Sequence, residues 1–462
     1  MRSAPAAAIG LAAALAVAAP AAGQSALTPE DSLLAAAIYE EMVEIPSVSG
    51  SEAAQTILSV TADRLRVAGI STEIAGPDSA QVLVARLEGT GERPPLLMLA
   101  HLDVVPALRE DWSTDPFTLV ESDGWWYGRG TEDNKAGAAI LVFNLIRAKR
   151  DGFIPDRDWI VALTSDEETE SDGIQWLVTE GRHLIGDPEL ALNTDAGGGI
   201  LRDGGETMFL IQASEKVYLT FILEVTDKGG HSSLPTPDNA IDALARGLAR
   251  LAEYRFPVTL NEVTRGFFER SATFQEASVA ADMRAVAADP PDSAAAARLT
   301  KSPFYNALLR TTCTATRLEA GHADNALPQT ARATVNCRIL PGEPIGAVES
   351  TLHEVVADTR IRISGKREPT ESPPSPLRPE IVEPIAGIVE EMWPGVAVVP
   401  EMSTGATDGL YVRNAGIPVY GAGAIFGDPG DARAHGRDER VAVARFYEAL
   451  EFWNRLVRRL SR

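Results

Sequence analysis

Histidines and carboxylates of this chain fall at the ends of apolar runs. His101-Leu102-Asp103 follows the run 95–100, Asp166-Glu167-Glu168 follows 159–164, and Asp195 follows 189–194. If the runs are strands of an open α/β sheet, these side chains meet in the crevice at the carboxyl ends of the strands, where ligands bind. Imidazoles and hard oxygen donors with no thiolate among them suit a metal site built for hydrolysis. A metal-bound imidazole needs its other ring nitrogen held, and a carboxylate commonly does this, so His101 as ligand and Asp103 as its orienter form a physically complete unit. In Gly128-Arg129-Gly130-Thr131-Glu132-Asp133-Asn134-Lys135 the glycines let the backbone turn tightly and set Asp133 just before a helix. There it could cap the helix or serve as an anion shared by two cations. Glu167 and Glu168 are adjacent, so they point different ways, one toward metal and one toward substrate. His435, between the apolar run 417–421 and a final helix, is the last candidate ligand.

The elements that must position these residues follow from periodicity. Residues 30–212 alternate helical and strand patterns, with helices expected over 31–44, 52–68 and from just after Asp133 to 150, and a strand over 81–87. That alternation indicates a mainly parallel sheet covered by helices. After Ser214 the texture changes to a strand over 216–226, a helix over 237–254, an irregular Ala-, Asp- and Pro-rich stretch over 255–310, strands over 311–320 and 330–340, a helix over 345–357 and a strand over 360–365. Without the irregular stretch the order is β-α-β-β-α-β, a small sandwich with helices on one face. A Pro-rich segment, 369–379, leads back to helix–strand alternation that ends in a helix over 441–460. The expected architecture is α/β: a mainly parallel-sheet catalytic domain with helices on both faces, split as 24–213 and 371–462 by an inserted α+β domain over 214–370.

Composition sets the limits. A chain of 462 residues is long for one domain, and 45% apolar residues can fill a sizeable core. A net charge of −23 argues against nucleic acid or an anionic membrane as partner. Arg2, the apolar run 6–19 and Ala21-Ala22-Gly23 read as a signal peptide over 1–23, so the expected location is a periplasm or the outside, with no membrane attachment after cleavage. Only Cys313 and Cys337 are present. If their strands pair as a hairpin about Asn325 the two thiols face each other, and an oxidising compartment would permit a disulfide.

Taken in order, Leu99-Ala100-His101-Leu102-Asp103-Val104-Val105-Pro106, Trp112 through Asp115-Pro116-Phe117, Tyr127 to Lys135, Glu167-Glu168 and His435 resemble the co-catalytic zinc carboxypeptidase and aminoacylase family. That family includes carboxypeptidase S, carboxypeptidase G and succinyl-diaminopimelate desuccinylase. The resemblance implies two Zn(2+) per chain, one held by His101 and Asp195, the other by Glu168 and His435, with Asp133 bridging; cobalt or manganese would be accepted by the same donors. It implies Glu167 as general base, with Asp103 orienting His101. The inserted domain would be a lid and dimer contact, and His231, in Gly229-Gly230-His231-Ser232-Ser233, would reach a neighbouring copy's site to stabilise an oxyanion. Asn325 and Arg338 would hold a substrate carboxylate, and Gly405 and Thr407 would line the same pocket through backbone amides. Two positions depart from the family pattern: Glu170 replaces a usual glycine, and Asp195-Ala196-Gly197-Gly198 replaces Asp-Glu-Gly-Gly.

The expected function is hydrolysis of the amide bond beside a free C-terminal carboxylate in short peptides, as a carboxypeptidase or dipeptidase. The alternative is an N-acyl-amino-acid hydrolase of aminoacylase type. A catalytically silent peptide-binding protein would lack a ligand or the base, and none is missing.

Overall fold

The computed structural model describes residues 27–202, 204–366 and 370–462; the signal peptide expected over 1–23 lies outside the described residues. A ten-stranded sheet forms the catalytic half. Its centre is four parallel strands in the order Trp159–Thr164, Leu96–His101, Leu190–Asn193 and Val419–Gly421. Every residue of these strands is buried, which is why they read as continuous apolar runs rather than alternating ones. Side chains still alternate between faces. Leu96, Met98 and Ala100 join one core with the helices Pro29–Val43, Glu52–Val67, Lys135–Arg150 and Val443–Arg459. Leu97 and Leu99 join the other, with the helices Asp172–Val178 and Gly409–Asn414. Each such leucine contributes about 1.5–3 kcal/mol when buried. Antiparallel pairs lie outside this centre, Ser71–Ala75 with Val82–Leu87 at one edge and Gly198–Arg202 with Gly205–Glu215 toward the other.

The inserted domain has its own four-stranded antiparallel sheet, in the order Thr312–Ala320, Thr330–Ile339, Val217–Thr226 and Arg362–Gly365. The helices Ala240–Glu253 and Ile345–Val356 cover one face and share a separate core with it, in the expected β-α-β-β-α-β order. Cys313 lies directly opposite Cys337 and is disulfide-bonded to it. A two-residue ladder, Gly230–His231 against Ala326–Leu327, stands apart from this sheet.

The stretch 255–310 differs from the expectation in structure and in allegiance. Glu262–Ser271, Ala277–Ala287, Ser293–Leu299 and Pro303–Leu309 are helices, and Phe267, Phe268, Met283, Leu299 and Leu309 join the catalytic core rather than the lid core. Gly266 lets the first of these helices approach the strand Ala397–Ser403, since a Cβ there would come within 2.8 Å of Pro400. Each helix has only two or three turns and starts afresh at a cap such as Asn261, Asp292 or Ser302, so no run is long enough to show a helical period. Among the described residues no helix is long and apolar enough to cross a membrane.

Candidate metal centre

His101 ends its strand and is fully buried. Its Nε2 faces Asp133 Oδ1 at 2.9 Å and Asp195 Oδ1 at 3.6 Å. On the far side of the ring, Nδ1 meets the backbone oxygen of Asp103 at 3.0 Å and its carboxylate at 3.6 Å, the outer support expected of a ligating imidazole. Asp133 turns its other oxygen to His435 Nε2 at 3.1 Å, and His435 Nε2 also lies 2.9 Å from Glu168. Three groups of facing donor atoms result, each within 4.8 Å: His101–Asp133–Asp195, Asp133–Glu168–His435, and His101–Glu167–Glu168, which links the other two. Asp133 belongs to the first two.

The donor set fits two divalent cations. Asp133, Glu167, Glu168 and Asp195 converge on two imidazoles, and among the described residues no lysine or arginine pairs with any of the four. Burial pushes the Glu167 carboxyl well above the usual range, and the charges of Asp195, Asp408 and Glu168 add to it against His101. Burial and then the Asp133 charge push Glu168 up to about 7. Hydrogen bonds from His101 and His435 overcome burial at Asp133 and hold it well below the carboxylate range. Crowding of this kind is relieved by protonation of a carboxyl or by positive charge between them, and the donor set suits the second.

Backbone-directed acids fix the loops that carry these ligands. Asp103 accepts the amides of Glu167 and Glu168 at 3.2 and 3.1 Å, so one residue orients both His101 and the turn bearing Glu167. Ser49 donates to the same carboxylate. Asp166 accepts the amides of Asp172 and Gly173 and closes that turn from below. Glu439, wholly buried, accepts the amides of Gly130, Glu132 and Asp133 at 3.0, 2.7 and 3.0 Å and pairs with Arg129 at 2.6 Å. Arg129 also donates to the oxygen of Gly436 and lies 5.1 Å over the Trp112 ring, so the tryptophan of the 112–117 motif supports the loop that bears His435. His435 itself has a left-handed backbone, φ 62°, a conformation costly for a residue with a Cβ and held here by its surroundings. At the departure after Asp195, Gly197 (φ 72°) is required, because a Cβ would meet the oxygen of Gly421 at 2.5 Å.

The remaining expected site residues separate into two places. Arg338, Gly405 and Thr407 line a cleft of about 420 Å³ together with Glu167, Glu168 and Tyr218. The Arg338 guanidinium lies 4.6 Å over the Tyr218 ring and donates to Thr404 O at 3.4 Å. The amides of Gly405 and Thr407, however, are already used. Thr407 gives its amide to Glu215, its hydroxyl is engaged by Glu215, Asn193 and Gly409, and Gly405 gives its amide to Ser403. These two residues shape the cleft wall and do not offer the substrate the donors expected of them. His231 and Asn325 sit elsewhere, side by side on the small ladder, where Ser232 N donates to Asn325 O at 3.0 Å. Both are exposed, and neither lines the cleft nor belongs to a ligand group. His231 Nδ1 accepts the Ser233 amide at 3.1 Å, which leaves Nε2 as the nitrogen that carries hydrogen and can donate.

The sequence reading did not single out Glu439, Arg129 or Asp408. Asp408 is buried, accepts from Thr164 Oγ1 at 2.6 Å and acts electrostatically on Glu167. Glu439 stands in Arg437-Asp438-Glu439-Arg440 and looks like part of a solvated charge run. Its one distinguishing signal is that apolar Val441 and the final helix follow immediately.

Residues 97–459 match the profile of Peptidase family M20/M25/M40. The human N-fatty-acyl-amino acid synthase/hydrolase is 29% identical over 381 residues, covering 78% of this chain and 72% of the relative. Probable carboxypeptidase S-like 2 of Dictyostelium discoideum is 27% identical over 377 residues, covering 79% and 71%. Among solved structures, an M20 family metallo-carboxypeptidase from Sulfolobus solfataricus superposes with a TM-score of 0.66 at 18% identity, over 92% of this chain and 99% of that one.

Proposed function

The chain belongs to peptidase family M20/M25/M40 and is a hydrolytic enzyme, and from that premise we propose that it hydrolyses the amide bond of N-acyl amino acids, adjacent to the free carboxylate. The observation that carries the carboxylate side is Arg338, held over Tyr218 in the cleft that contains Glu167, with no carboxylate of its own chain paired to it among the described residues. A guanidinium kept available in this way suits bidentate recognition of a substrate carboxylate. The acyl side is assigned to a second cavity of about 280 Å³, bordered by Asp133 and Asp195 and walled by Trp125, Ile425 and Phe426. Its acids are engaged: Asp431 pairs with Arg433 and Arg440, Asp428 accepts the Gly430 amide, and Glu132 accepts the Arg433 amide. The apolar part of that wall, Trp125, Ile425 and Phe426, offers contact to an acyl chain. The human relative, named for N-fatty-acyl-amino acids, supports the same reading.

His101, Asp133 and Asp195 would hold one divalent ion and Asp133, Glu168 and His435 the other, with zinc the expected metal and cobalt or manganese its substitutes; bound there, the pair would supply Lewis acidity and lower the pKa of water. Glu167 takes the proton of the attacking water and returns it to the departing amine nitrogen. Arg338 fixes the substrate carboxylate, so the scissile carbonyl is presented in one orientation. His231 donates through Nε2–H to the developing oxyanion of a neighbouring copy, which makes the working form a homodimer through the inserted domain. We further propose that the mature protein begins near Gln24 and acts in a periplasm or outside the cell. The leader-like run 6–19 and the Cys313–Cys337 disulfide support this.

A second reading, cleavage of short peptides as a carboxypeptidase or dipeptidase, is favoured by the carboxypeptidase S-like relative. Amine release by the zinc-loaded full chain decides between them when N-dodecanoyl-leucine is compared with alanyl-leucine. The acyl substrate is expected to be preferred at least tenfold in kcat/KM. Preference for the dipeptide would establish the second reading, and hydrolysis of neither would overturn both.

A further inference from the structure

A cavity of about 420 Å³ lies away from the metal centre, between the lid helix Ala240–Glu253, the helix Pro303–Leu309 and the start of the lid strand Thr312–Ala320. Its volume is that of an ordinary small-molecule site. Leu248, Leu251, Tyr254 and Phe256 form apolar walls. Against them stand two guanidiniums, Arg255 and Arg310, and no aspartate or glutamate lines the cavity. In a chain of net charge −23, an acid-free pair of arginines is a local reversal of sign.

Arg310 is the unusual member. It is 9% exposed. Nη1 donates to Phe256 O at 2.9 Å and Nη2 to Thr300 Oγ1 at 3.0 Å, yet its buried Nε–H meets no acceptor. Arg255 is committed only to backbone, through Ala252 O and Tyr254 O. Behind them Lys216 donates to Arg310 O at 2.7 Å, its own pKa brought down to about 7 by burial. A buried cation without a counter-charge costs several kcal/mol that an anion would relieve. Asn306, which lines the same cavity, has a buried Oδ1 with no donor. The wall therefore offers positive charge beside apolar surface, and behind it one N–H of Arg310 and one acceptor of Asn306 are unused among the described residues.

We propose that this cavity binds an amphipathic carboxylate: the anionic head at Arg310 and Arg255, the tail along Leu248, Leu251 and Phe256. The Asn306 acceptor would receive an amide N–H where the ligand has one, so the two sources of this chemistry are a free fatty acid and an N-acyl amino acid. The site lies on the helix-covered face of the lid sheet, whereas Arg338, next to core residue Cys337 on its strand, points to the other face. It is thus separate from the cleft, and the inference does not depend on which amide the enzyme cleaves.

Calorimetric titration of dodecanoate into the full chain tests this, with Arg338→Ala as background so that the cleft does not compete for the carboxylate. One equivalent is expected to bind. Adding Arg310→Gln, or Ala252→Trp to fill the cavity mouth from an exposed position, should weaken binding at least tenfold, while dodecyltrimethylammonium should bind at least tenfold more weakly than dodecanoate. Ala252→Trp alone decides if Arg310→Gln does not fold. Absence of saturable binding, binding that survives Ala252→Trp, or equal affinity for the cationic amphiphile would each overturn the proposal. N-Dodecanoylglycine, titrated in the Arg338→Ala/Glu167→Gln background to prevent both turnover and competition by the cleft, identifies the source. Tighter binding than dodecanoate that is lost in Asn306→Leu assigns an N-acyl amino acid, and equal binding assigns a fatty acid.

Discussion

The loops that bear the metal ligands and the lid ladder that bears His231 are built on opposite principles. Around the centre, Asp103, Asp166 and Glu439 are buried acids aimed at backbone amides, and each fixes a turn on which Glu167, Glu168 or Asp133 stands. The His231 ladder is two residues long on each side, exposed, and held by its own turn through Ser232 and Ser233. Ligand geometry set within a fraction of an ångström needs rigid support. The proposed role of His231 at a site on another copy would need reach instead, and an exposed short ladder would provide it. The contrast is between donors fixed within one chain and a histidine left free of both the cleft and the ligand groups.

Removing Glu439 should break the rigid half most severely. Glu439→Gln loses the Arg129 pair and turns an amide toward three N–H donors, leaving a buried guanidinium without its counter-charge. A stability loss of about 3–5 kcal/mol is expected, together with weakened metal retention, because Asp133 and Gly436 are tied to the same pair. Thermal unfolding with and without added zinc measures both. A variant that melts like wild type and keeps its metal would show that the ligand loops hold their shape without this acid.

His231→Ala should do the reverse. Melting and metal content stay at wild-type values, because no core or ligand group includes His231, while kcat falls about 10²–10³-fold. Mixing inactive His231→Ala with inactive Glu167→Gln sharpens the test. Exchange of subunits should restore activity, since half of each mixed dimer pairs an intact base with an intact histidine. No recovery after verified exchange would place His231 in its own chain's site, or in none. Asp103→Asn has a smaller effect. Its carboxylate supports both His101 and the 166–168 turn, so metal affinity should drop about 10–100-fold. An unchanged zinc dissociation constant would contradict that role.

How far each part could be read from sequence follows from the same physics. The convergence of His101, Asp133, Glu168, Asp195 and His435 was legible because metal chemistry restricts the donor types, and strand ends restrict where they stand. The parallel centre was legible because strands buried on both faces are uniformly apolar. Glu439 was not, since its burial depends on long-range packing, whereas its neighbours Arg437, Asp438 and Arg440 give it the look of a surface acid. The helices of 262–309 were hidden by their shortness, and their packing on the catalytic core by the fact that sequence position suggested the lid. For Thr407, the sequence located the cleft-lining loop but could not reveal that Glu215, a residue 192 positions away, already takes its amide.

Glu401 is a smaller test of the same contrast, a half-buried acid to which no backbone amide is turned among the described residues. It lies on the strand Ala397–Ser403, meets no donor among the described residues, and is pushed up to about 7 by burial alone. Because its folded value lies above the unfolded value near 4.5, the folded state holds the proton more tightly. The stability this gives is fully present below about pH 4.5 and is lost as the pH rises through 7. Partial contact with solvent reduces the effect to about 1–2 kcal/mol. Glu401→Gln should therefore melt like wild type at pH 4.5 and above it at pH 8. If the two proteins keep the same difference in melting temperature at both pH values, the carboxyl does not titrate in this range. Glu401 would then be supported like Glu439, and the distinction between partnered and unpartnered buried acids would fail at this position.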